Sequence, residues 1–318
     1  MFDTPILFII FNRSETAKTV LEKIREIRPK KLFIASDGWR LNKPGEKEQC
    51  ESTRRLVLDM IDWECEVHTL FRENNLGAGK GVSTAITWFF EHVEYGIILE
   101  DDCLPIDSFF TFCQELLTRY QDDTRIMHVS GNNYQFSEVG NYSYFFSRYP
   151  VTWGWATWRR AWQHFDYNLV NFKKNDMLHH LGLTKGQINY YKQVLYLMKH
   201  KEIDCWDYQW LFACLSNNGL AIVPQYNLVR NIGFGPNATH TTSLTPVAYL
   251  KTFPIEFINH PQKIQVDENA DRWHIENLQL EYQPLFSVIK DRVYKNLRNL
   301  VVYSNPRLHA YLRTLKNK

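Results

Sequence analysis

The sequence lacks a long uninterrupted apolar segment. Its longest apolar run, Pro5–Phe11, is far shorter than the roughly 20 residues that a membrane-spanning helix needs. No basic stretch precedes this run, as one would in a secretory signal peptide. We therefore expect neither a membrane span nor secretion.

The sequence also has few cysteines, glycines and prolines. Its six cysteines are scattered without any CxxC spacing, which argues against a disulfide framework and against a zinc site. This pattern is typical of reduced thiols in the cytoplasm. With 14 Gly and 12 Pro among 318 residues, and with 44% hydrophobic residues, the chain is neither collagen-like nor disordered. We expect a globular protein of one large domain or two smaller ones.

The formal net charge is only +2, but it is unevenly distributed. Residues 287–318 carry eight Lys and Arg against one acidic residue, so this tail is +7 and residues 1–286 are −5. A body of negative sign does not indicate a nucleic-acid binder, whereas a basic tail is suited to an anionic surface. The predicted localisation is cytoplasmic, with two alternatives for the tail: peripheral contact with the inner membrane face, or a solvated helix packed on the body.

Strand-like and helix-like segments alternate through the first 130 residues, which is typical of a parallel sheet covered by helices. The predicted strands are Ile6–Phe11, Lys31–Ser36, Glu66–Phe71, Gly96–Leu99 and Ile126–Val129. The predicted helices are 15–27, 48–61, 79–92, 107–120, 185–200 and 206–216, and a short strand is predicted at 220–223. Beyond about residue 133 the alternation fades, which predicts an irregular α+β portion packed on the first half.

The most specific motif is GIILEDDC at residues 96–103, where an apolar strand ends on three consecutive carboxylates, Glu100, Asp101 and Asp102. Ligands of such sheets bind beyond the carboxyl ends of the strands. Three adjacent carboxylates repel one another, and a divalent cation among them relieves the repulsion. Mg²⁺ or Mn²⁺ bound by one or two carboxylates and by phosphate oxygens is usual in nucleotide enzymes. The motif therefore predicts a metal site, and the alternatives are a solvated strand end or an acidic helix start.

A glycine-rich segment, Gly77–Gly81, precedes a predicted helix but completes no phosphate-binding motif. A Walker A loop would need glycine at Asn74 and Ser or Thr at Gly81, and a dinucleotide fingerprint would follow the first strand rather than the third. A glycine-rich turn into a helix still brings backbone N–H groups near an anion. Gly79 and Lys80 are therefore candidate nucleotide contacts, with a plain turn as the alternative.

Four further residues stand at positions suited to chemistry. Arg13 follows the first strand, where a guanidinium can bind a diphosphate with two hydrogen bonds, and Asp37 ends the second strand, where it can accept a hydrogen bond from a base. Asp207 lies between two tryptophans in CWDYQW, and apolar neighbours would raise its pKa toward the range of a general base. His240 is a candidate ligand or phosphate donor. The alternatives are surface positions for Arg13 and Asp37, a helix cap for Asp207 and a structural histidine.

Aromatic residues are concentrated in the segment from Tyr142 to Trp162. Such a segment is suited either to a stacking surface for sugars or to the hydrophobic core, and core is the favoured interpretation. Within this segment, we expect the aromatics from Tyr149 to Trp158 to stack on sugar faces in an acceptor cleft.

Taken together, these segments resemble GT-A-type glycosyltransferases, and most of all the inverting N-acetylglucosaminyltransferase I branch. The likeness covers roughly residues 5–240. The residues that carry it are Asn12, Arg13, Glu100, Asp101, Asp102, Trp206 and Asp207. It implies an α/β GT-A fold, that is, a Rossmann-like, mostly parallel sheet flanked by helices with an irregular α+β C-terminal portion. Residues 1–132 would be the nucleotide-sugar-binding half, 133–286 the acceptor-binding and catalytic half of the same unit, and 287–318 the tail.

The resemblance also implies roles in binding a sugar-nucleotide donor. Phe11, Arg13 and Asp37 would hold the base and the diphosphate. Glu100 would contact the donor sugar, and Asp101 would contact the ribose or the sugar.

The resemblance implies metal and catalytic residues as well. Asp102 would bind a Mn²⁺ or Mg²⁺ ion that bridges both phosphates, and His240 matches a late histidine of the metal or diphosphate site. Asp207 would be the base that deprotonates the acceptor hydroxyl. The relatives carry two adjacent acids here, whereas Tyr208 follows Asp207 in this chain, so Asp204 is the alternative base.

The expected activity is transfer of a sugar from a nucleoside-diphosphate donor, with UDP as the expected nucleotide, to a hydroxyl of a saccharide acceptor, with inversion. One alternative is a sugar-nucleotide pyrophosphorylase, although FNRSET lacks the Gly-rich, basic loop that such enzymes usually show after the first strand. The other alternative is a non-catalytic carbohydrate-binding or scaffold protein that uses the aromatics alone.

Overall fold

The structure is a computed structural model that describes residues 2–135, 140–170, 181, 183–200, 202–234 and 249–277. The candidate ligand His240 and the basic tail at 287–318 lie outside the described residues.

Ten strands are present in the described part of the chain. They are β1 (Ile6–Ile10), β2 (Lys31–Ser36), β3 (Glu66–Phe71), β4 (Tyr95–Glu100), β5 (Cys103–Pro105), β6 (Ile126–Ser130), β7 (Tyr144–Ser147), β8 (Trp155–Trp158), β9 (Leu220–Pro224) and β10 (Val229–Asn231). Eight of them form one sheet in the order β3-β2-β1-β4-β8-β6-β9-β7, and β5 and β10 form an antiparallel pair. In the large sheet only β7 and β8 run opposite to the other strands.

Helices cover both faces of the large sheet. Those in the described residues are α1 (Ser14–Ile27), α2 (Glu46–Asp59), α3 (Gly77–His92), α4 (Asp107–Arg119), α5 (Arg159–Trp162), α6 (Lys185–Lys199), α7 (Asp207–Ser216) and α8 (Glu268–Glu276). Phe8 of β1 packs with α1 and α4, whereas the adjacent Leu7 packs with α3 and α7 on the other face. Because both faces are covered, β1 is a continuous apolar run without alternation. The predicted α/β class, with a mostly parallel sheet flanked by helices, is confirmed and is consistent with a GT-A-like fold.

The aromatic segment supplies β7 and β8, two strands that the sequence did not reveal. All four residues of each strand are buried, so neither shows the polar alternation that marks a half-exposed strand. β8 pairs between β4 and β6, and strands from both predicted halves of the chain therefore alternate in one sheet. Tyr149, Trp155 and Trp158 are buried, which confirms the favoured interpretation of this segment as core.

Parallel pairing brings the carboxyl ends of β1, β2 and β4 to the same edge of the sheet. Ile9 of β1 pairs with Glu100 of β4, so the residues that follow these two strands face each other directly. None of the helices in the described residues has the length and apolar character needed to cross a bilayer.

Candidate active site

A cavity of about 690 Å³ opens at the edge where β1, β2 and β4 end. It is bounded by these strand ends, by the start of α3 and by the residues that lead into α7. The predicted site residues that line it are Phe11, Arg13, Asp37, Glu100, Asp101, Asp102, Asp207 and the alternative base Asp204. The fold thus brings together residues that are separated by up to about 200 positions in the sequence.

The floor of the cavity is built around Asp101, which is only 2% exposed. One carboxylate oxygen of Asp101 accepts a hydrogen bond from the backbone N–H of Phe11 at 3.1 Å, and the other binds the Arg13 guanidinium. The same guanidinium lies 3.0 Å from Oδ2 of Asp102. Arg13 therefore joins the end of β1 to the acidic end of β4.

Burial and mutual repulsion disfavour negative charge on this floor. The pKa of Glu100 is raised to about 8, first by burial and then by the charges of Asp102 and Asp101. Burial also raises the pKa of Asp101 to about 6, although Arg13 opposes the shift. Burial lowers the pKa of the Arg13 guanidinium, but the two aspartates outweigh this effect and the net shift is upward. Arg13 thus offsets the charges of Asp101 and Asp102 directly, and its charge also opposes the upward shift of Glu100.

The residues present fit a metal ion only if a substrate supplies further ligands. Both oxygens of Asp101 are bound within the protein and its side chain is 3% exposed, whereas the Asp102 side chain is 15% exposed, so Asp102 is the more accessible of the two aspartates. Among the described residues, no group of three or more His, Cys, Asp and Glu side chains is arranged to hold a metal. A single carboxylate completed by phosphate oxygens and water is a usual mode for Mg²⁺, and Asp102 fits that mode.

A residue that sequence reasoning missed, Gly233, closes one side of Asp102. β10 runs beside β5, and the N–H of Ile232 donates to the Asp102 carbonyl at 2.8 Å. A Cβ at position 233 would lie 2.8 Å from Nη1 of Arg13 and closer still to the Asp102 carboxylate. Only glycine lets the chain pass so near the Arg13–Asp102 pair. The two glycines of NIGFG are the sequence signal for this close approach.

Asp37, predicted to contact the donor base, has a second role at the start of α3. Its Oδ2 accepts hydrogen bonds from the N–H groups of Leu76 at 2.8 Å and Gly77 at 3.1 Å. Burial raises the pKa of Asp37, although these hydrogen bonds oppose the shift. Arg40 and Arg72 line the cavity near this corner and were not predicted.

Gly79 and Lys80, the candidate nucleotide contacts, are not among the residues that line the cavity. The Gly79 N–H donates to Oδ1 of Asp204 at 2.9 Å, so it is bound by a carboxylate of the protein itself. Lys80 is exposed and lies outside the cavity lining. Gly77, Ala78 and Gly81 of the same segment do line the cavity, and the glycine-rich pattern alone could not reveal which of its residues would do so.

Asp207 is the first residue of α7 and lines the same cavity as the carboxylate floor. Its charge adds to those that raise the pKa of Glu100, so the two side chains share one electrostatic environment. The preceding Trp206 is buried and stacks on Trp155 at a centroid distance of 5.6 Å. The packing of Trp206 in the aromatic core therefore holds the start of α7 in place.

The prediction that the aromatics from Tyr149 to Trp158 form a sugar-stacking surface is wrong for most of them. Tyr149, Trp155 and Trp158 are 4%, 1% and 2% exposed because the sheet and its helices enclose them. Within that segment, Thr152 and Trp153 line the cavity. Trp153 is thus the aromatic residue of this segment that is available to a ligand there.

Neither a protein-family model nor a curated protein sequence matches this chain. Among solved structures, it is similar to TarS 1–349 from S. aureus, with a TM-score of 0.40 and 8% identity over 71% of this chain and 59% of the TarS chain. It is also similar to HddC from Yersinia pseudotuberculosis, with a TM-score of 0.30 and 8% identity over 49% of this chain and 77% of that one. The chain thus spans less than two thirds of the TarS chain, and likenesses of this degree carry no conclusion about its function.

Proposed function

We propose that this protein is a metal-dependent glycosyltransferase of the GT-A type, related to the inverting N-acetylglucosaminyltransferase I branch. It would transfer a sugar from a nucleoside-diphosphate donor, with UDP as the nucleotide, to a hydroxyl of a saccharide. The observation that carries the proposal is that the Arg13–Asp101–Asp102 cluster and Asp207 line the same cavity. Such a cavity offers one wall for a donor diphosphate and another for an acceptor.

Arg13 would bind the diphosphate. Its guanidinium has five N–H donors in a planar fork, and Asp101 and Asp102 engage only part of them. Asp101, held by Phe11 and Arg13, keeps this fork oriented toward the cavity. Asp102 would hold a Mn²⁺ or Mg²⁺ ion, which neutralises charge on the departing diphosphate.

Asp207 would act as the base at the acceptor wall. It would accept the proton of the acceptor hydroxyl while that oxygen attacks the anomeric carbon and the diphosphate leaves from the opposite face, which inverts the configuration. Glu100, whose pKa is raised by burial and by the neighbouring carboxylates, would contact the donor sugar. The two carboxyl groups then have different tasks because their surroundings differ.

The burial of Tyr149, Trp155 and Trp158 weakens the non-catalytic alternative, since the stacking surface that it needs is not exposed. No feature of the described residues favours the pyrophosphorylase alternative. A donor-hydrolysis screen with several nucleotide sugars and Mn²⁺, in which the released diphosphate is identified, would name the donor.

Thermal unfolding with UDP and Mn²⁺ tests the proposal. A ligand at a hundred times its Kd adds about 2.7 kcal/mol to the free energy of unfolding, which raises the melting temperature by a few degrees in a chain of this size. We expect the shift to need both components, because the carboxylate floor repels a diphosphate without a cation. Asp102→Asn should abolish it, while Asp59→Asn, at an exposed position on α2, should retain it. If no nucleoside diphosphate gives a metal-dependent shift, the proposal is wrong.

A further inference from the structure

Asp204 links two parts of the cavity wall that are far apart in sequence. Its Oδ1 accepts a hydrogen bond from the Gly79 N–H at 2.9 Å, across 125 positions of the chain. Gly79 belongs to the first turn of α3, whereas Asp204 stands three residues before Asp207, where α7 begins. The bond thus connects the nucleotide side of the cavity with the acceptor side.

The start of α3 is suited to this bond. The first N–H groups of a helix have no partner within the helix and carry the positive end of its dipole. Asp37 accepts hydrogen bonds from the N–H groups of Leu76 and Gly77, and Asp204 accepts one from the N–H of Gly79. Although Asp204 is exposed to solvent, this carboxylate oxygen has a fixed and electrostatically favourable partner.

The two chain segments meet closely at this point. A Cβ at position 79 would lie 2.6 Å from the carbonyl oxygen of Cys205 and in conflict with the Asp204 carboxylate as well. A glycine at this position is therefore required for the segment before α7 to lie against α3. The close approach thus involves the backbone of Cys205 as well as the side chain of Asp204.

The position of Asp207 depends on what holds the residues before it. Trp206 is anchored in the aromatic core by stacking on Trp155, and Asp204 is anchored on α3. A general base must lie within hydrogen-bond reach of the proton that it takes, and a displacement of about 1 Å can cost roughly 10²-fold in rate. An anchor on each side of Cys205 restricts how the start of α7 can move.

We propose that Asp204 is a positioning residue that holds the start of α7, and with it Asp207, at the reactive distance from the carboxylate floor. The expected effect of Asp204 on the reaction rate rests on the proposed function. It removes Asp204 as an alternative base, because the role requires an oxygen that accepts a hydrogen bond from Gly79 and does not require a group that takes up a proton.

Two substitutions of Asp204 separate the two roles. Asp204→Asn keeps a carbonyl oxygen that can accept from the Gly79 N–H but cannot act as a base, whereas Asp204→Ala removes the acceptor. We expect the Asn variant to retain kcat within about threefold and the Ala variant to lose roughly tenfold or more in kcat. The KM for the donor and the pH profile of kcat should change little in either variant. Equal, large losses in both variants, with an altered pH profile, would identify Asp204 as the base and overturn the proposal.

A substitution on the other side of the bond provides an independent test. Gly79→Ala should reproduce the loss of Asp204→Ala without changing any acid, and the double variant should lose no more than either single one. Gly186→Ala is the matched control, because Gly186 also lies in the first turn of a helix, α6, and its nearest neighbour to an added Cβ is 3.9 Å away. Full activity of Gly79→Ala would overturn the proposal.

Amide hydrogen exchange tests the same bond without any activity. In the wild type and in Asp204→Asn, we expect protection of the Gly79 N–H and of the Trp210 N–H, which donates to the Trp206 carbonyl where α7 begins. In Asp204→Ala both should exchange faster. Unchanged protection in Asp204→Ala overturns the proposal even if the protein proves to transfer no sugar. If Asp204→Ala loses protection but the protein binds no nucleotide with a metal, the role of the Asp204–Gly79 hydrogen bond is supported and only the proposed function is refuted.

Discussion

Two buried ionisable sites on the same sheet are built in opposite ways. His128 in β6 is fully buried and stacks on Trp155 at 4.8 Å. Its Nδ1 accepts from the indole N–H of Trp210 at 3.1 Å, so its Nε2 carries the proton and donates to the Val151 carbonyl at 2.9 Å. Burial lowers its pKa to about 3. The ring is neutral at ordinary pH and both of its nitrogens are satisfied.

The carboxylate floor at the end of β4 shows the reverse. Asp101 and Asp102 share the guanidinium of Arg13, and burial raises the pKa of Glu100 and of Asp101. Burying charge without full compensation is costly. The comparison teaches that burial of an ionisable group does not by itself mark a functional site. A functional site is indicated instead by buried ionisable groups whose charge the protein does not fully compensate, so that a ligand can balance it.

Removal of the Arg13 guanidinium should have the largest effect on the free energy of unfolding. Arg13→Met leaves Asp101 and Asp102 uncompensated, and breaking a buried ion pair from one side typically costs about 3–5 kcal/mol. We expect a loss of this size in denaturant unfolding, together with loss of metal-dependent nucleotide binding. Arg25→Met is the control, because Arg25 pairs with Asp62 on the surface and about half of each side chain is exposed. Equal stability of the two variants would contradict the distinction drawn between the two sites.

Removal of His128 should affect stability but not the site. His128→Ala leaves a cavity in the aromatic core and an unpaired indole N–H on Trp210, for which we expect a loss of roughly 3 kcal/mol. The nucleotide-dependent thermal shift should persist in the folded variant. The exposed His164 supplies the control, since His164→Ala should leave the melting temperature unchanged. Loss of the nucleotide-dependent shift in His128→Ala would show that the aromatic core and the cavity are coupled.

The sequence was a good guide to the strand ends. The apolar runs placed β1 to β4 within a residue or two of their observed bounds, and the rule that ligands bind at the carboxyl ends of strands brought Arg13, Asp37 and the residues after β4 to one cavity. Both inferences rest on local patterns, hydrophobic burial and strand direction. Such patterns can be recognised without knowing which segments meet in space.

Contacts between distant segments could not be predicted. The glycine-rich start of α3 has the composition of an anion site, but its N–H groups are bound by Asp37 and Asp204, which approach from other parts of the chain. β7 and β8 were missed because each has only four residues, too few to show a period, and because the aromatic segment that contains them is also suited to a stacking surface. A local pattern shows which groups are available, and tertiary packing decides which partners they meet.

The smallest expected effect is the pH dependence that His128 causes. Its pKa is lowered from the ordinary 6.5 to about 3 on folding, so the stability linked to its neutral form is fully present above pH 6.5 and is lost as the pH falls toward 3. At pH 5 the expected loss is about 2 kcal/mol. The free energy of unfolding should therefore fall between pH 6.5 and 5 in the wild type and fall less in His128→Gln, whose neutral amide can accept from Trp210 and donate to Val151. His274, which is partly buried and whose pKa desolvation lowers to about 4, remains in both proteins, so the difference between the two slopes isolates His128. Identical slopes would show that His128 is not held neutral by the core.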